Sequence, residues 1–151
     1  MSIVALDTGV IAEYVNLGGS LHREAEAVIR SVLNGTLIAI IPHTVLAETY
    51  YVTFRIYQKL GLDDAGNRAE RLIEWLYRSP NISLAEPSLE LAVLTGKIKG
   101  KYSLALTDAY VLAVAKIYKG KAVFRSKERE MIPILSDLIK DYGIVFLEGD
   151  S

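Results

Sequence analysis

The sequence predicts an α/β protein, a three-layer α/β/α sandwich with a mainly parallel central sheet. Three observations carry this expectation. Apolar runs of three to five residues alternate with longer stretches of helical spacing. The runs are apolar throughout rather than at every second position, the pattern of strands covered on both faces. Glycine, proline and asparagine punctuate the joins. With 151 residues, 51% of them apolar, a single domain over 1–151 with a substantial core is expected.

The elements follow in order. Ile3 to Leu6 is a first buried strand, Thr8 to Asn16 a helix, and Gly18-Gly19 a break. Leu21 to Leu33 carries Ala25, Val28, Ile29 and Val32 on one face, with Ser20 placed as its N-cap and Asn34-Gly35 at its end. Leu37 to Ile41 is a second strand, and Pro42 suits the first turn of the next helix. That helix, His43 to Leu60, is rich in aromatics (Tyr50, Tyr51, Phe54, Tyr57), and Gly61 closes it. A further helix from Asp63 to Arg78 has Leu72, Trp75 and Leu76 on its apolar side, so residues 43–79 form a protruding helical hairpin. Ile82 to Leu84 is a strand, and Ser88 to Ile98 and Leu104 to Tyr118 are helices. Ala122 to Phe124 is a strand, Glu130 to Lys140 a helix, and Ile144 to Leu147 the last strand.

Composition excludes several functions. The chain has no cysteine, which removes disulfides, zinc–thiolate sites and thiol nucleophiles and suits a reducing cytoplasm. Met1 to Leu6 runs straight into Asp7 without a basic, cleavable leader. The longest apolar stretch, Leu104 to Ala115, is interrupted by Asp108 and falls short of the ~20 residues that span a bilayer. A soluble cytoplasmic protein with no membrane partner is expected. The net charge of −1 argues mildly against a generic nucleic-acid binder. Yet Lys97, Lys99 and Lys101 cluster, as do Lys116, Lys119, Lys121, Arg125, Lys127 and Arg129. A solvated face explains such clusters as well as a phosphate contact does. Gly96 to Lys101 lacks the spacing and hydroxyl of a P-loop. No Gly-x-Ser-x-Gly elbow occurs, and neither His22 nor His43 has a triad context. Gly9 stands where an aspartyl phosphohydrolase would carry a second aspartate.

Four acids stand where acids are costly. Asp7 closes the first apolar run, where it can cap the following helix with Thr8 or face a ligand at the carboxyl end of a strand. Glu48 lies between Val45 and Val52 on a helix, a position that asks for a lysine or arginine partner or for a cation. Asp108 has Leu104, Ala105, Val111 and Leu112 one turn away, and first-turn dipole stabilisation is its plainer role. Glu128 follows a strand, and Glu130 competes with it. Carboxylates crowded together repel unless a cation lies between them or their pKa values rise.

These residues resemble the PIN-domain family of metal-dependent ribonucleases, in particular its archaeal members and the VapC-like toxins of toxin–antitoxin pairs. The likeness rests on Val4-Ala5-Leu6-Asp7-Thr8-Gly9-Val10-Ile11, on Val45-Leu46-Ala47-Glu48, on Leu104 to Ala113 around Asp108, and on Ala122 to Met131 around Glu128. The order of the pieces, across nearly the whole chain, is more specific than any one of them. Asp7, Glu48 and Asp108 match the family's first three acids; its fourth is usually Asp two residues after Thr, where this chain has Ser126 and Glu128. The resemblance implies an endoribonuclease in which Asp7, Glu48, Asp108 and Glu128 hold one or two Mg²⁺ or Mn²⁺ ions. A metal-activated water would attack, leaving a 5′-phosphate and a 3′-hydroxyl. Thr8 and Ser126 would support the acids, and Arg125, Lys127 and Arg129 would steer the RNA backbone. It also implies a homodimer and a cognate antitoxin. A PIN fold serving as an RNA-binding or protein-docking module, or a processing nuclease without an antitoxin, are the alternatives.

Overall fold

The structure is a computed structural model and describes residues 2–149. Five strands, β1 (Ser2–Leu6), β2 (Leu37–Ile41), β3 (Ile82–Leu84), β4 (Lys121–Phe124) and β5 (Ile144–Phe146), make one sheet in the order β3-β2-β1-β4-β5. Every pairing is parallel. The expected mainly parallel sheet is thus wholly parallel among the described residues. Its strands are apolar because helices cover them: Ala5, Leu6, Ala39, Ile41, Ala122 and Phe124 are fully buried.

Among the described residues seven α-helices complete the fold: α1 (Thr8–Val15), α2 (His22–Leu33), α3 (His43–Lys59), α4 (Ala65–Arg78), α5 (Leu89–Tyr102), α6 (Leu106–Ile117) and α7 (Leu135–Asp141). α1 packs on α2 and α3, and α3 packs on α4 as the expected helical pair. Tyr14 stacks on Trp75 at 6.1 Å, tying α1 to α4. α5 lies on α6, which crosses β1 and β4 and sends Val111, Leu112 and Val114 into the core. The first strand is central. The chain winds outward through β2 and β3, then returns across the sheet to β4 and β5. In an open parallel sheet such a reversal leaves a crevice at the carboxyl ends of the two strands that flank it, here β1 and β4.

Four local expectations need correction. Ser20 does not cap α2: Leu21 occupies the cap, and its N–H donates to Glu13 Oε1 at 2.8 Å. Pro42 is the residue before α3 rather than part of its first turn. α5 continues past Ile98 to Tyr102 and stops only at Ser103, at φ 55°. Gly96 and Gly100 weaken a helix without ending it, so Lys97 to Lys101 lie within α5. At the other end, Glu130 does not start a helix. A 3₁₀ turn (Ile132–Ile134) precedes α7, with Pro133 at its start, where a missing N–H costs no helical hydrogen bond.

Candidate active site

The carboxyl ends of β1 and β4 position the first acid. Asp7 leaves β1 in an extended conformation, and its N–H donates to Val123 O at 3.0 Å, pinning it at the crevice. It does cap α1, since Oδ2 accepts from Gly9 N–H at 3.3 Å. Capping uses only one of its oxygens. Oδ1 is buried with no hydrogen-bond partner, in a residue only 6% exposed. Burial pushes the Asp7 carboxyl up to about 6; the Gly9 and Thr8 N–H groups oppose the rise, and the charges of Glu48 and Glu128 add to it.

Asp108 reaches the same crevice from the first turn of α6 and is half-buried. Its carboxyl rises to about 7, first through burial and then through the charges of Asp7, Glu128, Glu48 and Glu130. A first-turn position favours a negative charge, but like charges and desolvation outweigh that here. Glu48, half-buried on α3 one turn beyond Thr44, makes no ion pair among the described residues. Glu128 keeps its contact with solvent; partial desolvation lifts it, Glu130 adds to the rise, and Arg125 opposes it. The four acids share one electrostatic field although they come from β1, α3, α6 and the segment after β4.

They share a field without touching. Among the described residues, no three Asp, Glu or His side chains are gathered closely enough to hold a metal ion as they stand. The donor set still suits a hard divalent cation: carboxylate oxygens, one of them buried and unpartnered, and no sulfur.

The supporting residues divide. Thr8 is buried beside Asp7 with Oγ1 unpartnered. Ser126 Oγ lies 3.5 Å from Arg125 Nη1. Of the three cations assigned to the RNA backbone, two are already engaged. Arg125 Nε donates to Glu13 Oε2 at 2.7 Å, and Lys127 Nζ lies 3.5 Å from Glu148 and donates to Gly149 O at 3.2 Å. Arg129 is exposed and forms no ion pair or hydrogen bond among the described residues.

Glu13 is the residue that the sequence reading missed. It is 5% exposed, accepts from Leu21 N–H and Arg125, and is therefore the true anchor of the α2 start. Burial alone would raise its carboxyl, but the Arg125 hydrogen bond, the Leu21 N–H and the charges of Arg125 and His22 hold it below the usual range. Two glycines make room for this network. A Cβ on Gly19 would fall 2.1 Å from Glu13 Oε1, and one on Gly9 would fall 3.0 Å from Arg125 Cβ. The signal that marked Glu48, an acid within an apolar helix, was equally present at Glu13 among Val10, Ile11, Ala12 and Tyr14.

A parallel sheet wound outward in both directions, with acids sharing one field around its reversal point, defines a class of α/β proteins with an acidic crevice. The PIN domain model matches residues 4–131, and the chain belongs to that family. Solved structures of similar fold include VapC20 of Mycobacterium tuberculosis, a sarcin-ricin-loop-cleaving toxin (TM-score 0.62, 19% identity, covering 79% of this chain and 86% of that one). VapBC-1 of nontypeable Haemophilus influenzae gives a TM-score of 0.63 at 16% identity, covering 97% and 98% of the two chains. PAE2754 of Pyrobaculum aerophilum gives 0.60 at 18% identity, covering 97% and 92%. No curated protein sequence matches the chain. No helix among the described residues is long and apolar enough to cross a membrane.

Proposed function

We propose that the protein is a metal-dependent endoribonuclease and the toxin of a toxin–antitoxin pair, acting as a single domain in the cytoplasm. The observation that carries this reading is Asp7: a buried carboxylate with a free oxygen, surrounded by acids rather than by cations. An isolated buried charge of that kind is destabilising unless something positive completes it. Asp7 would be the central ligand of one or two Mg²⁺ or Mn²⁺ ions, with Glu48, Asp108 and Glu128 around it. A bound ion supplies an acidified water as nucleophile and offsets charge on the phosphate.

The chain's own residues do the rest. The Asp7 cap on Gly9 fixes one carboxylate oxygen and leaves the other without a hydrogen-bond partner. Thr8, unpartnered and buried, offers a hydroxyl to Asp7 or to water, and Ser126 does so from the β4 side. Arg129 is the most available cation for the RNA backbone, while Arg125 and Lys127 contribute positive potential from within their ion pairs. The neighbour VapC20 is a sarcin-ricin-loop-cleaving toxin, and a Klebsiella pneumoniae neighbour is a toxin–antitoxin complex. Both favour RNA as substrate and an antitoxin as partner. Exposed Tyr50 and Tyr51 on α3 suit a homodimer seam.

The test is RNA cleavage with Mn²⁺ by the wild type, Asp7→Asn and Asp108→Asn. Each substitution is expected to lower the rate at least a hundredfold; unchanged cleavage by either variant defeats the reading. The separation of the carboxylates favours one alternative, a PIN fold that binds RNA or protein with no working metal site. A rise in melting temperature on adding Mn²⁺, absent in Asp7→Asn, decides for the nuclease.

A further inference from the structure

A half-enclosed cavity of about 260 Å³ opens at the same edge of the sheet, between the ends of β2 and β3. Its lining includes Pro42, His43, Thr44, Ala85, Pro87 and Tyr110. We propose that this cavity receives one base of a single-stranded RNA whose neighbouring phosphate lies at the carboxylates, an inference that rests on the nuclease reading above.

Four observations favour a base over other occupants. No carboxylate, lysine or arginine lines the cavity, so it suits an uncharged group rather than a phosphate. Its walls are two prolines, alanines and a tyrosine, the apolar and aromatic surfaces on which unstacked bases are held. Polar groups are few. Thr44 Oγ1 is buried without a partner, and Ser88 Oγ accepts from Leu91 N–H, which leaves its own proton to donate. A base edge presents both donors and acceptors. The wall is also fixed in advance: Ala85 N–H donates to Ile41 O at 3.0 Å and Glu86 N–H to Tyr118 OH at 3.3 Å.

Position completes the case. Thr44 lies one turn before Glu48 on α3, so cavity and carboxylates share a helix end. Adjacent strands lie ~4.8 Å apart, which puts the β2–β3 gap about 5–10 Å from the end of β1. One nucleotide covers that step. The cavity would therefore select the base beside the cut, and so the sequence at which the enzyme cleaves.

Ala92 lies on the rim and is exposed, so Ala92→Trp fills the cavity from outside the core. Fluorescence-labelled oligo(rA), oligo(rC) and oligo(rU) are titrated in EDTA against wild type, Ala92→Trp and Thr44→Val, and cleavage positions are mapped separately with Mn²⁺. The expected result is a preference of about tenfold among the three oligonucleotides, levelled by Ala92→Trp and reduced severalfold by Thr44→Val. Ala92→Trp should still cleave, at more scattered positions. Equal binding of all three by the wild type, or a preference and cleavage map that Ala92→Trp leaves intact, overturns the base site alone; the latter is also what occupancy by a partner protein's side chain predicts. A wild type that neither binds nor cuts RNA removes the nuclease reading and this inference together. If Ala92→Trp does not fold, His43→Ala and Thr44→Val decide, and no change in preference from either refutes the proposal.

Discussion

Asp7 and Glu13 lie six residues apart and are buried to nearly the same degree, at 6% and 5% exposure, yet their carboxyls shift in opposite directions. Glu13 has Arg125 at 2.7 Å and a backbone N–H on its other oxygen, and it holds its charge. Asp7 has one weak cap bond, an oxygen with no partner, and the charges of Glu48 and Glu128 against it. Burial alone therefore says little about what an acid is for. The completed pair fastens α1, the α2 start and the end of β4 together, whereas Asp7 keeps one buried oxygen unpartnered among like charges.

Removing the compensation should have the largest effect. Arg125→Ala leaves a buried charge at Glu13, and loss of one partner from a buried pair costs about 3–5 kcal/mol. Because Arg125 is 38% exposed, roughly 3 kcal/mol is expected, read from urea denaturation. Next comes the opposite substitution at Asp7. A carboxyl lifted from 3.8 to about 6 destabilises the ion-free fold by roughly 2–3 kcal/mol once ionised. Asn retains the N-cap. Asp7→Asn should thus raise the melting temperature in EDTA at pH 8 while abolishing cleavage; a fall in stability would make Asp7 merely structural. Gly19→Ala should follow at about 1–3 kcal/mol, because its Cβ displaces Glu13 Oε1.

Proton linkage sharpens the contrast. Asp7 and Asp108 have raised values near 6 and 7, so their penalty is absent below about pH 4 and complete above about pH 7. Their contribution makes the ion-free protein less stable as pH rises through that window. Glu13, whose value is lowered, contributes in the other sense: its stability is present above the ordinary 4.5 and is lost as pH falls through the folded value. Stabilisation by Mn²⁺ should accordingly be slight at pH 5 and grow towards pH 7.5, measured by thermal unfolding. The smallest effect expected is at Arg129, where alanine should reduce the salt dependence of RNA binding by about one counterion without changing the pH profile.

Much of this architecture was legible in the sequence. Unbroken apolar runs such as Leu37 to Ile41 gave β2 to the residue, and acids in apolar settings pointed to Asp7, Glu48 and Asp108. What local pattern does not contain is pairing at a distance. Arg125 meets Glu13 across 112 positions and Lys127 meets Glu148 across 21, so both read as free basic residues. The same blindness put the α2 cap on Ser20 when the acceptor was Glu13, eight residues before Leu21. The expected helix ended at Ile98, one turn short, because the sequence does not show that burial of both Ile98 and Tyr102 holds α5 together across Gly100.

The strand order has a consequence for how the protein comes into being. β1 is emitted first but acquires its β4 neighbour only after residue 120 has been made. Glu48 is made 60 residues before Asp108 and 80 before Glu128, and Asp7 earlier still, so both precede the strand that closes their crevice. Under the nuclease reading proposed above, no fragment made before residue 128 holds all four acids, so activity would have to await Glu128 and the pairing of β4 with β1.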